Sequence, residues 1–192
     1  MGSSFPQCSS LTYQLPTVLV THLSAFHSVH HLPISSDNPD LSSIGFLNKA
    51  RSIKVHGDPW IVFTEKHYKG KFECLKPGNY NSIPAIEKNI SSVRCVNGGL
   101  YSYKITVYEH IHYGGRAVTL TEAADTLKSY DFDNMISSHK VAHGAWILYN
   151  KEYYNGNQMV AVAGDEIPNY LPLGWNDKVS SLKPVEPYES SE

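Results

Sequence analysis

Cysteine is scarce in this chain of 192 residues, which carries only Cys8, Cys74 and Cys95. An odd, sparse set cannot supply the paired framework of a small disulfide scaffold and suits a reducing compartment. The opening MGSSFPQCSS has no charged region followed by an apolar one. No signal peptide is therefore expected, and the expected location is cytoplasmic. Cys74 and Cys95 fall in apolar, strand-like runs that suit small buried hydrophobes; whether they bridge is a question of geometry. Charge is scarce as well: Asp, Glu, Lys and Arg make up 18 % of the chain, with a net charge of −2. That balance excludes a nucleic-acid binder working by charge alone. No run approaches the roughly 18 apolar residues of a membrane span, so no transmembrane segment is expected.

Catalytic motifs are missing too. There is no G-x-S-x-G, no P-loop and no dinucleotide-binding glycine pattern, so no enzyme is expected. Ten histidines are present. Neither the His27, His30 and His31 cluster nor the His110 and His112 pair has a zinc-site spacing. Helical periodicity does not persist for ten residues anywhere, although AADTLKS (123–129) suits a single helical turn.

What the chain does have is tyrosine, 13 residues of it, and short β-branched or aromatic runs. WIVF (60–63), KITVYE (104–109), RAVTL (116–120), AWILYN (145–150) and QMVAVA (158–163) are each bounded by polar or turn-forming residues. They read as strands, and the fold class as all-β. The chain also repeats itself. An aromatic, four residues, an aromatic, one residue and a glycine recur at Phe63, Tyr68 and Gly70, at Tyr108, Tyr113 and Gly115, and at Tyr149, Tyr154 and Gly156. An eroded copy falls near 19–28, with Phe26 and Ser28 in the second aromatic and glycine places. The pattern suits a folded hairpin with its aromatics stacked across the turn and a glycine where a side chain would not fit. A second pattern closes each unit: DNMISS (133–138) and NDKVSS (176–181), with weaker versions EKNISS (87–92) and LNKARS (47–52). Pairing the four units places one domain at 15–98 and another at 102–186. NGGLYS (97–102) joins them, and 1–14 and 187–192 are read as flexible tails.

Paired hairpin and closing-loop repeats of this kind resemble the βγ-crystallin superfamily, over residues 15–186. The resemblance implies two Greek-key β-sandwich domains in tandem, each made of two intertwined four-stranded keys. The intact loops of the second half look like the non-lens, calcium-binding branch. By that resemblance the cofactor is Ca²⁺, which takes about six to eight oxygen ligands from side chains and carbonyls. Two loops of one domain would cross to build two sites. One site would take Asn134, the Met135 carbonyl and Ser180; the other would take Asp177, the Lys178 carbonyl and Ser137. Hairpin carbonyls of Glu109 and Asn150 would complete them, and Asp133, Asn176, Ser138 and Ser181 would brace the loops. The bland alternative for each loop is an Asx- and Ser-type turn bonding its own backbone.

The first domain departs from the pattern. Arg51 stands where a hydroxyl should face the ion, and Lys88 where a neutral or acidic ligand is expected. At most a weak half-site of Asn48, the Lys49 carbonyl and Ser91 is expected there. The functional expectation is a non-enzymatic protein whose C-terminal domain is stabilised by Ca²⁺. The alternative is a calcium-modulated interaction, adhesion or membrane-toxin-partner module, with a homodimer or protein partner on an apolar surface.

Overall fold

The computed structural model describes residues 15–23, 29–46, 52–83 and 89–189. Both apolar runs that begin with tryptophan become central strands, and their alternation explains the architecture. In β4 (Trp60–Glu65), Trp60 and Val62 enter the core of the first domain, while Ile61 and Phe63 face the second. In β11 (Ala145–Lys151), Trp146 and Leu148 enter the core of the second domain, while Ala145, Ile147 and Tyr149 face the first. Successive strand residues point to opposite faces. A strand buried on both faces must therefore be apolar throughout, as WIVF and WILY are.

The first domain pairs β4 with β5 (Lys69–Leu75) and β7 (Ser92–Cys95). Its other sheet runs in the order β2 (Val29–Ile34), β1 (Thr17–Leu23), β3 (Ser52–His56), β6 (Gly78–Tyr80). The second domain repeats this. β12 (Asn155–Val162), β11 and β14 (Ser181–Pro184) form one sheet. β13 (Glu166–Ile167), β10 (Ser138–His143), β8 (Lys104–Tyr108) and β9 (Ala117–Leu120) form the other.

The keys are intertwined. β6 leaves its own key to pair with β3, and β13 does the same with β10. The return exchange shrinks to single bridges, Asn38 with Val93 and Ala124 with Leu182. Among the described residues each domain therefore shows one four-stranded and one three-stranded sheet rather than two full keys of four. No α-helix occurs among the described residues. The turn expected at 123–129 is a 3₁₀ turn at Leu127–Tyr130, capped by the Thr126 hydroxyl.

Both interdomain faces are joined by a cluster that includes Ile61, Phe63, Cys74, Val96, Ile147, Val160, Val162 and Val185. At its edge Arg94 crosses from the first domain to Asp165 of the second in a bidentate pair, at 3.0 and 2.6 Å. Its Nε also donates to Asp37 at 3.0 Å. Cys74 and Cys95 are free, buried thiols, and burial pushes both up to about 12. One expectation is corrected at the C-terminus. Residues 187–189, read as flexible tail, lie on the first domain. The Tyr188 amide donates to the Cys74 carbonyl at 2.6 Å, its ring meets Tyr80 at 6.2 Å, and Glu189 pairs with Lys76. The polar composition of EPYESSE conceals an aromatic that finds an apolar seat.

Candidate metal centre

The hairpins come first, because they hold the loops. In each of the three copies the paired aromatics meet across the turn: Phe63 and Tyr68 at 5.7 Å, Tyr108 and Tyr113 at 5.5 Å, Tyr149 and Tyr154 at 5.9 Å. The second aromatic and the residue before it adopt left-handed backbone in every copy: His67 and Tyr68, His112 and Tyr113, Tyr153 and Tyr154. Such conformations are unfavourable for bulky residues and persist only where the surroundings impose them. The closing loops impose them through the sixth-position serine. Ser138 donates to the His110 carbonyl at 2.6 Å and accepts from the Tyr113 amide at 3.1 Å. Ser181 does the same with Lys151 and Tyr154, and Ser92 with Glu65 and Tyr68. The hairpin copy near 19–28, with Phe26 and Ser28, lies outside the described residues.

The fifth-position serine docks the loop on the first aromatic. The amides of Ser137, Ser180 and Ser91 donate to the carbonyls of Tyr108, Tyr149 and Phe63 at 2.8–3.0 Å. In the second domain the two loops then run against each other. The Asn134 amide donates to the Val179 carbonyl and the Asp177 amide to the Ile136 carbonyl, both at 3.0 Å. Asn134 and Asp177 both have left-handed backbone, with φ of 54°. Asn and Asp tolerate that conformation best among residues with a side chain, so the backbone gives these positions a structural reason of their own.

This crossing brings together the pairs named from the sequence. Ser180 Oγ donates to Asn134 Oδ1 and Ser137 Oγ to Asp177 Oδ1, each at 3.2 Å. Glu109, Asn134, Met135, Ser137 and Asp177 share a shallow cavity of about 550 Å³ with Asn176. Asn150 and Lys178 instead line a larger cleft towards the first domain. The Glu109 carboxylate is engaged by Arg116, whose backbone amide and Nε both donate to it, and this lowers its pKa. Its carbonyl, not its carboxylate, is thus the group to offer an ion.

The four bracing residues divide. Ser138 and Ser181 brace, as described above. Asp133 and Asn176 each accept or donate one bond with the next residue: Asn134 Nδ2 donates to Asp133 Oδ2, and Asn176 Nδ2 to Asp177 Oδ2. The second carboxylate oxygen of Asp133, Oδ1, and the amide oxygen of Asn176, Oδ1, are buried without a hydrogen-bond partner. A buried oxygen without a partner demands a donor or a cation. It recurs at the same position of both loops. The donor set is carboxylate, amide, hydroxyl and carbonyl oxygen, which suits a hard cation such as Ca²⁺ rather than a soft one. Among the described residues no three His, Cys, Asp or Glu side chains converge as a metal-binding group.

In the first domain the Ser91 hydroxyl donates to the Thr64 carbonyl, at 2.9 Å, within its own hairpin. Asn48 and Lys49, the rest of the expected half-site, lie outside the described residues, as do Arg51 and Lys88. Two buried features were not read from the sequence. The Tyr170 hydroxyl and His139 Nδ1 share a hydrogen bond at 2.5 Å, and Arg94 pairs with Asp165. Their partners are 31 and 71 residues apart, and no local spacing announces either.

Comparison with known proteins finds similar chains. The chain is 37 % identical over 175 residues to the epidermal differentiation-specific protein of Cynops pyrrhogaster, covering 91 % of this chain and 51 % of that protein. The chain therefore spans about half the length of that relative. It is 29 % identical over 160 residues to human (Homo sapiens) gamma-crystallin D, covering 81 % of this chain and 89 % of that one. Among solved structures, a beta gamma crystallin from Ciona intestinalis is 28 % identical with a TM-score of 0.39, over 42 % of this chain and 98 % of that one. The Beta/Gamma crystallin family matches twice, at residues 28–96 and 104–185, and the chain belongs to that family.

Proposed function

We propose that the second domain binds two calcium ions on its crossed loops, and that the protein is a non-enzymatic structural member of its family whose C-terminal domain the ion stabilises. The observation that carries this reading is the matched pair of buried, partnerless oxygens, Asp133 Oδ1 and Asn176 Oδ1, beside the cross-loop pairs Ser180–Asn134 and Ser137–Asp177. When bound, the ion supplies positive charge at the centre of an oxygen cluster that includes two carboxylates. The chain's own part is to hold those oxygens. Ser138 and Ser181 lock the hairpins, the fifth-position amides dock the loops, and the crossed amides of Asn134 and Asp177 set their register.

In the first domain Arg51 and Lys88 bring positive charge to the closing loops, and at most a weak half-site is expected there. The apolar hairpin faces that would serve an adhesion or membrane-partner module are largely spent between the two domains, which favours the structural role. Titration calorimetry of the whole chain tests the reading. Two calcium ions per chain are expected; none, or four of equal strength, overturns it.

A further inference from the structure

The groove between the two domains has an inner and an outer part. The inner part, about 280 Å³, is lined by His139, Met159, Ile167 and the paired Arg94 and Asp165. The outer part is a cleft of about 1050 Å³. Tyr68, Lys69, Gln158, Val160, Leu173 and Trp175 line both, so the two are continuous. His139 is 1 % exposed, and its Nδ1 is taken by Tyr170. Its Nε2 is buried with no hydrogen-bond partner. A buried imidazole nitrogen without a partner is a standing cost unless something enters to meet it. At the mouth, Lys69 and Lys71 are exposed and make no ion pair among the described residues. Among the described residues Glu65 is the one carboxylate of the outer part, and Asp165 in the inner part is held by Arg94. Leu173 is 49 % exposed there, an apolar side chain without full cover. Concave sites that combine apolar side chains with a few convergent polar groups are the usual form of a small-molecule site.

We propose that this groove binds a small amphipathic organic anion, with its apolar body against Val160, Leu173 and Trp175, a hydrogen-bonding atom at His139 Nε2 and its acidic group at Lys69 and Lys71. The polarity follows from the two ends. The inner end offers one unpartnered nitrogen beside Arg94 and Asp165, whose charges are already paired with each other, so a single hydroxyl or carbonyl fits there and a further free charge does not. The outer end offers two ammonium groups in water, where an anion is held without desolvation. Asn150 and Lys178 of the candidate ion site line the same outer part, so the test is made without calcium.

The test is calorimetric titration of the full chain in EDTA with omega-hydroxyoctanoate, and in parallel with neutral octanediol. Saturable one-to-one binding of the acid is expected. The double variant Lys69→Glu, Lys71→Glu should weaken it about tenfold or more while leaving octanediol binding and the melting temperature unchanged. Leu173→Glu, also at an exposed position, should weaken both ligands. Absence of saturable binding would overturn the proposal. So would acid binding that both variants leave unchanged.

Discussion

At the scale of single residues, the hairpin glycines are the least negotiable positions. Gly156 has φ of 83°, and a Cβ built there would lie 2.2 Å from Asn150 Oδ1, itself the acceptor for the Asn157 amide. Gly156→Ala should cost about 1–3 kcal/mol, read as a lower denaturant midpoint. This glycine and its aromatics were legible in the sequence because the constraint is local: a fixed spacing within eight residues, repeated three times. His139 was not. It stands in a polar sequence, Ser-Ser-His-Lys, and becomes buried only because Tyr170 arrives from 31 residues away to cover it.

The His139 environment has a consequence for pH. Tyr170 bonds the ring, while Asp165 favours its charge and Arg94 opposes it; burial dominates and lowers the pKa to about 4. A group depressed in the folded state binds its proton more readily when unfolded, so it contributes stability above the unfolded pKa near 6.5. That contribution is lost as pH falls from about 6.5 through 4, to an extent of up to about 3 kcal/mol. Equilibrium denaturation across this range should show a stability that declines towards acid, and His139→Gln should flatten the slope whatever it does to stability at pH 7. An unchanged slope in the variant would show that other groups carry the acid sensitivity.

At the scale of elements, β4 and β11 show how far a pattern can be read. Both were recognisable as strands from β-branched and aromatic content, and their unbroken apolarity fits burial on both faces. Which face meets the other domain depends on register, and register is set by partners far along the chain. The exchanged strands are a similar case. β6 and β13 are three and two residues long, too short to carry a period of their own, and their place follows from the sheet that receives them. Arg94 lies on β7, and its pair with Asp165 has no sequence signature because each residue looks like an ordinary surface charge. Its side chain is only 13 % exposed, that of Asp165 14 %. Removing one partner of such a pair leaves the other poorly solvated, and Arg94→Ala should cost about 3 kcal/mol. A double-mutant cycle with Asp165→Ala should return a clear coupling energy, and a coupling near zero would mean that the apolar cluster alone joins the domains.

At the scale of the whole molecule, the hairpin pattern recurs in both domains, while the closing loops differ in sequence: Arg51 and Lys88 in the first domain correspond to Ser137 and Asp177 in the second. The duplication was legible because an 86-residue offset carries the hairpin from Trp60 to Trp146 and from Gly70 to Gly156, and the closing loops recur at offsets of 86 and 89 residues. The candidate site was legible down to its cross-loop pairs, Asn134 with Ser180 and Asp177 with Ser137. The inward, partnerless oxygens of Asp133 and Asn176 were not, since a six-residue motif says nothing of which oxygen becomes buried. A ligand that binds only the native state adds about 2.7 kcal/mol at 100 times its dissociation constant. For a chain of this size each kcal/mol moves Tm by roughly 2–4 °C. The central claim is therefore tested most directly by thermal unfolding of the full chain in saturating calcium and in EDTA. The second domain should melt roughly 5–10 °C higher with calcium, and the combined variant Ser137→Arg, Ser180→Arg, which puts in both loops what Arg51 puts in the first domain, should abolish that gain. A melting profile that is the same in calcium and in EDTA would contradict the account and leave both loops as turns that bond only their own backbone.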